Sequence, residues 1–168
     1  NNMTILSNLK NKKDDVFKKE NIYFLIIIFT IFFLDRISKI KILTNFGESV
    51  YFVNDYLNFD LIWNIGIGFG LLSTDSSLLY NFVSIIVAVV IIYLIYILII
   101  SDNLDKFILS IIIGGALGNF YDRLIYKAVP DFIDVHYNNF HWFTFNIADI
   151  FITMGIMIFI IRGIFIKV

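Results

Sequence analysis

The sequence predicts an all-α membrane protein with four transmembrane helices, and three observations carry that prediction. The chain is 168 residues long, the size of one domain. Its residues are 59% hydrophobic and only 16% charged, a balance that excludes a water-soluble globule. Four predominantly apolar stretches of about 19–23 residues follow one another between polar connections, and a helix needs about 20 residues to cross about 30 Å of hydrocarbon.

Residues 1–20 hold Lys10, Lys12, Lys13, Lys18 and Lys19 and read as a basic N-terminal arm on the cytoplasmic side, with the membrane domain over 21–168. No cleavable-signal layout follows the arm, so the first span is expected to be retained. That span covers about 22–43. Its uncharged part, Ile22 to Leu34, reaches only about 20 Å at helical rise, so the helix must either stop early or carry Asp35, Arg36 and Lys39 inside; the second is expected. NFGESVYFVNDYLNFDL, residues 45–61, alternates partially and is rich in aromatics, which suits short strands at the headgroup level. NIGIGFG, residues 64–70, has three glycines in seven and predicts a turn or a close backbone approach.

The second span, 78–100, carries no charge. The third, 104–124, has Asp105 and Lys106 at its start and contains GGALG at 114–118, a pattern that lets membrane helices pack closely. The fourth, 143–161, carries Asn146 and Asp149 near its start. With Lys106, Arg162 and Lys167 joining the N-terminal lysines on one side, the charge pattern puts both termini in the cytoplasm and the two long connections, 44–77 and 121–142, outside. Arg36, Lys39, Lys41, Arg123 and Lys127 run against that pattern. Roughly 50 outer residues are too few for a separate catalytic domain, so any chemistry falls to the outer ends of the spans. A net charge of −1 gives no reason to expect nucleic acid as a partner, and the absence of cysteine removes disulfides and thiolate chemistry.

An ionisable side chain in hydrocarbon costs about 2.5–3.5 kcal/mol and therefore faces a bundle interior or a wet cavity. Asp149, three residues after Asn146 and followed by an uncharged run, is such a case. Asp131, after Pro130 in a polar loop, is a second carboxylate outside the same end of the fourth span. Two carboxylates brought together can share one proton, so that one activates water while the other donates to a carbonyl. Asn119 and Arg123, four apart, share a helix face, and Asn64 and Asn146 add neutral hydrogen-bonding groups. Asp122 and Arg123 also read as a simple end-of-helix pair. Asp131, Asp134, His136 and His141 could ligate a metal, but their spacing matches neither HExxH nor its inverse, and no metal or other cofactor is expected. A proton- or cation-using transporter or binding protein is the alternative.

LDRISK at 34–39, NIGIGFG at 64–70, GGALGNFYDRL at 114–124, VPDFID at 129–134 and FNIAD at 145–149 follow one another in an order that resembles the lipoprotein signal peptidases, the type II signal peptidases of bacteria. The resemblance implies a four-span aspartic endopeptidase of the bacterial inner membrane, with a small extracytoplasmic β-cradle and a surface helix in the segments from 45 onward. It implies Asp131 and Asp149 as the catalytic pair, with Asn64, Gly66, Asn119, Arg123 and Asn146 supporting the site or binding substrate. Asp35, Lys39 and Asp122 are implied as structural polar residues. The implied partners are diacylglyceryl-modified prolipoproteins and membrane lipids, with the cyclic peptide globomycin as inhibitor. Pro130 and Gly68 depart from the residues usual in the family.

Overall fold

The computed structural model describes residues 19–47, 49–66, 77–138 and 140–165. The basic arm up to residue 18, the second half of NIGIGFG and the segment expected to form a surface helix after Asn64 lie outside the described residues. Four long helices, α1 (Lys19–Asn45), α2 (Ser77–Ile100), α3 (Asn103–Tyr126) and α4 (Ile147–Phe165), are interleaved with strands β1 (Tyr51–Asn54), β2 (Leu57–Asn64), β3 (Val129–Tyr137) and β4 (Phe140–Phe145). Each helix contains a stretch long and apolar enough to cross a membrane. Ranks of half-exposed Phe, Ile and Val along α1, α2 and α4 face outward, as lipid-facing surfaces must.

α1 passes unbroken through its charges. Its buried positions, Ile28, Ile31, Asp35, Lys39 and Ile42, recur every three or four residues and form one stripe, with Phe29, Phe33, Ile37 and Ile40 on the lipid side. α3 is the most buried helix and packs against the other three. Its glycines explain how closely: a Cβ at Gly114 would lie 2.8 Å from the Ile31 Cβ, at Gly115 2.6 Å from the Ala148 carbonyl oxygen, and at Gly118 2.5 Å from Asp35 Oδ2. Gly118→Ala is therefore expected to cost about 1–3 kcal/mol, because the methyl must push on a carboxylate held from two sides. Gly163, with nothing within 4 Å of a built Cβ, supplies the control. Thermal unfolding in detergent should separate the two variants; equal melting temperatures would show that Asp35 yields freely.

At one end of the bundle, Lys106 Nζ donates to Asn21 Oδ1 at 3.1 Å, and Arg162 pairs with Asp102 at 2.9 Å and with Asp105. The start of α1, the α2–α3 turn and the end of α4 therefore meet there. Asp102 also caps α3, its Oδ1 accepting from the backbone N–H groups of Leu104 and Asp105 at 2.9 Å. At the opposite end the strands form one antiparallel sheet in the order β1-β2-β3-β4. Phe59 and Phe132 meet edge to face on it, while Tyr51, Phe52, Trp63, Tyr137, Phe140 and Trp142 stay exposed, a composition suited to the headgroup layer.

Two boundaries differ from the sequence expectation. The fourth helix begins at Ile147 rather than near 143, because Phe143 to Phe145 pair with β3 as strand residues and Asn146 then caps the helix. Asp131 and Asp134 lie in β3 rather than in a loop. Pro130 is accommodated because β4 pairs with β3 only from Ile133 onward, leaving β3 with a free edge where the missing N–H costs no ladder bond.

Candidate active site

Asp149 reaches its position through the way α4 starts. The Asn146 side chain accepts from the Asp149 N–H at 3.0 Å, and the Asp149 carboxylate accepts from the Asn146 N–H at 3.2 Å, a reciprocal capping box written in Asn and Asp. A carboxylate in the first turn also sits at the positive end of the helix dipole. The Ala148 N–H, another donor the helix itself leaves unpaired, is taken by Asp35 Oδ1 at 3.0 Å, which locks the start of α4 onto α1.

Asp131 comes from β3. The β2–β3 register sets Asn64 opposite Val129 and Ile62 opposite Asp131, so the Asn64 and Asp131 side chains are diagonal neighbours. Asn64 Nδ2 donates to Asp131 Oδ2 at 2.9 Å and Asn146 Nδ2 to Asp131 Oδ1 at 2.5 Å. On the other carboxylate, Asn119 Nδ2 donates to Asp149 Oδ1 at 2.8 Å.

All three asparagines follow one rule. Each has its carbonyl pinned by a donor that cannot accept: the Gly66 N–H at 2.9 Å for Asn64, Lys39 Nζ at 2.8 Å for Asn119, and the Asp149 N–H for Asn146. The amino group of each is thereby aimed at a carboxylate. An aspartate in the same place would repel it, and this is the physical reason for neutral amides around the pair.

Behind Asn119 lies a buried ionic cluster. Lys39 Nζ bonds Asp35 Oδ2 at 2.8 Å and Asp122 Oδ2 at 2.7 Å, and Arg36 bonds Asp122 Oδ1. Two cations and two carboxylates cancel, as burial demands. Asp122 therefore faces α1 and is not the partner of Arg123. Arg123 instead donates from Nη2 to the Gly66 carbonyl at 2.6 Å, and Tyr80 fixes it from the far side by donating to its backbone carbonyl at 3.1 Å.

Asp131 and Asp149 line one cavity of about 330 Å³ together with Asn64, Asn119 and Arg123, and its deeper wall is apolar, with Val87, Ile152 and Ile156. Burial first, and the nearby Asp149 charge second, push the Asp131 carboxyl up to about 6, against the pull of its two asparagine donors. A carboxyl at 3% exposure whose ionisation is shifted toward neutrality is matched to acid–base work.

Every residue expected at the site on the sequence is brought to it or to the cluster behind it. The sequence places Arg36 inside the first span and Gly118 in a close-packing motif but gives neither of them, nor Tyr80, a part in the site. Arg36 carried a signal, since a cation within an apolar span requires a counter-ion; Tyr80 carried none. Asp134 turns away from the pair, toward His136 and His141.

Comparison with known proteins places the chain in a family. Residues 27–165 match the family described as Signal peptidase (SPase) II. A lipoprotein signal peptidase of Pelagibacter ubique is 46% identical over 144 residues, covering 84% of this chain and 87% of its own. Those of Francisella tularensis subsp. novicida and Anaplasma phagocytophilum are 42% identical over 126 residues, covering 73% and 78%, and 39% identical over 148 residues, covering 84% and 92%. Two solved structures, each described as a bacterial membrane enzyme, superpose with a TM-score of 0.73 at 30% identity, one covering 84% of this chain and 87% of its own, the other 86% and 94%. The chain belongs to the signal peptidase II family, and is an aspartic endopeptidase of the inner membrane that removes the signal peptides of lipoproteins.

Proposed function

We propose that Asp131 and Asp149 are the catalytic pair, and that the substrate is a prolipoprotein whose cysteine already carries a diacylglyceryl group. The observation that carries this reading is the convergence of three asparagine amino groups on two carboxylates from different elements in one cavity. One carboxylate takes a proton from water as its oxygen attacks the scissile carbonyl. The shared proton on the other passes to the carbonyl oxygen, and the tetrahedral intermediate then collapses, breaking the C–N bond with protonation of the leaving amine. Arg123 Nη1, buried and without a partner among the described residues, is free to donate to a substrate carbonyl beside Gly66. In a coupled pair the base and acid roles belong to the pair rather than to either aspartate.

The apolar wall of Val87, Ile152 and Ile156 leads from Asp149 along the helices, a surface suited to acyl chains. The lipid then stays in the bilayer while the peptide bond lies at the helix ends. The N-terminal arm, the α2–α3 turn and the end of α4 face the cytoplasm, and the sheet and aspartates the outer surface, because the N-terminal lysines precede α1 in the sequence and Lys106 and Arg162 stand at that end of the bundle. Globomycin, a cyclic peptide, would occupy the same cavity.

The test is cleavage in detergent of two peptides differing only in whether the cysteine carries diacylglycerol. The lipidated peptide is expected to be cut before its cysteine at least about tenfold faster, with inhibition by globomycin. Equal rates would remove the lipid from the recognition scheme.

A further inference from the structure

A second constellation sits on the sheet, apart from the aspartate pair. Asp134 and His136 lie two apart on β3 and so point to the same face, whereas Asp131 points to the other. The β3–β4 register sets His136 opposite His141, and a bulge between Val135 and His136 shifts the strand there. The three side chains converge: His141 Nδ1 lies 2.8 Å and His136 Nδ1 3.6 Å from Asp134 Oδ2, and one donor atom from each falls within 4.8 Å of the others.

The burial of these groups makes the cluster more than a hydrogen-bonded triad. Asp134 is 2% exposed and His136 7%, yet His136 Nδ1 has no hydrogen-bond partner among the described residues. Leaving a buried ring nitrogen unpaired costs about 1–3 kcal/mol. That nitrogen lies 3.6 Å from the carboxylate, too long for a hydrogen bond and right for two ligands of one ion. In a tetrahedral site with bonds of about 2.0–2.1 Å, ligand atoms stand roughly 3.3 Å apart. The 3.6 Å separation of His136 from Asp134 lies near that value, and His141, which now hydrogen-bonds Asp134 at 2.8 Å and whose side chain is 57% exposed, is free to turn outward onto an ion.

We propose that Asp134, His136 and His141 form a divalent transition-metal site on the β3–β4 hairpin, with zinc as the ion that best fits two imidazoles and one carboxylate. A solvent molecule completes the tetrahedron on the exposed side. The ion clamps β4 to β3, three residues along β3 from Asp131, and takes no part in peptide hydrolysis. The sequence argued against a metal because the spacing fits no helical zinc motif; on paired strands, residues two apart and their cross-strand neighbour make the site instead.

The experiment uses the full chain in detergent with any affinity tag removed. After equilibration with zinc and gel filtration, bound metal is counted by mass spectrometry, and unfolding temperature is measured with and without zinc. The unaltered protein is expected to retain close to one zinc per chain and to melt higher with it. His141→Ala, a change at an exposed side chain that leaves the fold intact, is expected to lower zinc affinity at least tenfold and abolish the shift, as is His136→Gln. Retention of less than a tenth of an equivalent by the unaltered protein, or equal retention by the unaltered protein and His141→Ala, would overturn the proposal.

Discussion

Asp131→Asn and Asp149→Asn are each expected to reduce cleavage of a lipidated prolipoprotein peptide by at least about a thousandfold, within the range that positioned acid–base groups supply. Both carboxylates work on one water and one proton, so the double variant should lose scarcely more than either single one, the behaviour of groups acting as a unit. Neither change should unfold the protein. Asp131→Asn removes a buried carboxyl whose ionisation is already disfavoured, at the expense of one hydrogen bond, since an amide oxygen cannot accept from Asn64 and Asn146 on two separate oxygens. Activity assays beside melting curves check this. Single-variant losses that multiply in the double variant would mean two independent groups.

Lys39→Met is expected to cost about 3–5 kcal/mol in stability, because it strips the cation from two fully buried carboxylates, Asp35 and Asp122, at once. It should also lower turnover, through a distinct route. With no donor on its carbonyl, the Asn119 side chain can rotate its oxygen toward Asp149, replacing attraction by repulsion. Lys39→Met combined with Asp35→Asn should recover part of the stability, since one of the stranded carboxylates is then neutral. Unfolding in detergent and cleavage by the material that remains folded measure the two effects separately. An unchanged melting temperature for Lys39→Met would show that water, and not Lys39, compensates these charges.

The helices and Asp149 were legible in the sequence because a membrane makes them so, whereas Asp131, in a polar connection, was marked chiefly by the family resemblance. Apolar runs of more than 20 residues admit few structures, and a carboxylate such as Asp149 inside one needs a reason to be there. The helix start was misjudged because Phe143 to Phe145 are as apolar as a span; only strand pairing and the Asn146 cap reveal that α4 begins later. Asp122 looked like the partner of Arg123 because they are adjacent. Adjacent helical residues point about 100° apart, and the structure sends Asp122 to α1 and Arg123 to Gly66. Which asparagine serves which carboxylate, the contact of Gly118 with Asp35 and the meeting of His136 with His141 all depend on approach between distant segments, which spacing within one segment does not encode.

The Asp131 titration is the most direct test that the two aspartates share a proton. Its carboxyl is raised from 3.8 to about 6, so the native protein keeps a proton there that the unfolded chain gives up. Stability therefore declines as pH rises through the interval from about 4 to about 6. The measurement is carbon NMR of aspartate-labelled protein, assigned with Asp131→Asn, in the unaltered chain and in Asp149→Asn. The expected result is a midpoint near 6 that falls toward, but not to, the ordinary carboxyl range when Asp149 is neutral, because burial remains. An Asp131 midpoint that does not move when Asp149 is replaced would contradict a shared proton.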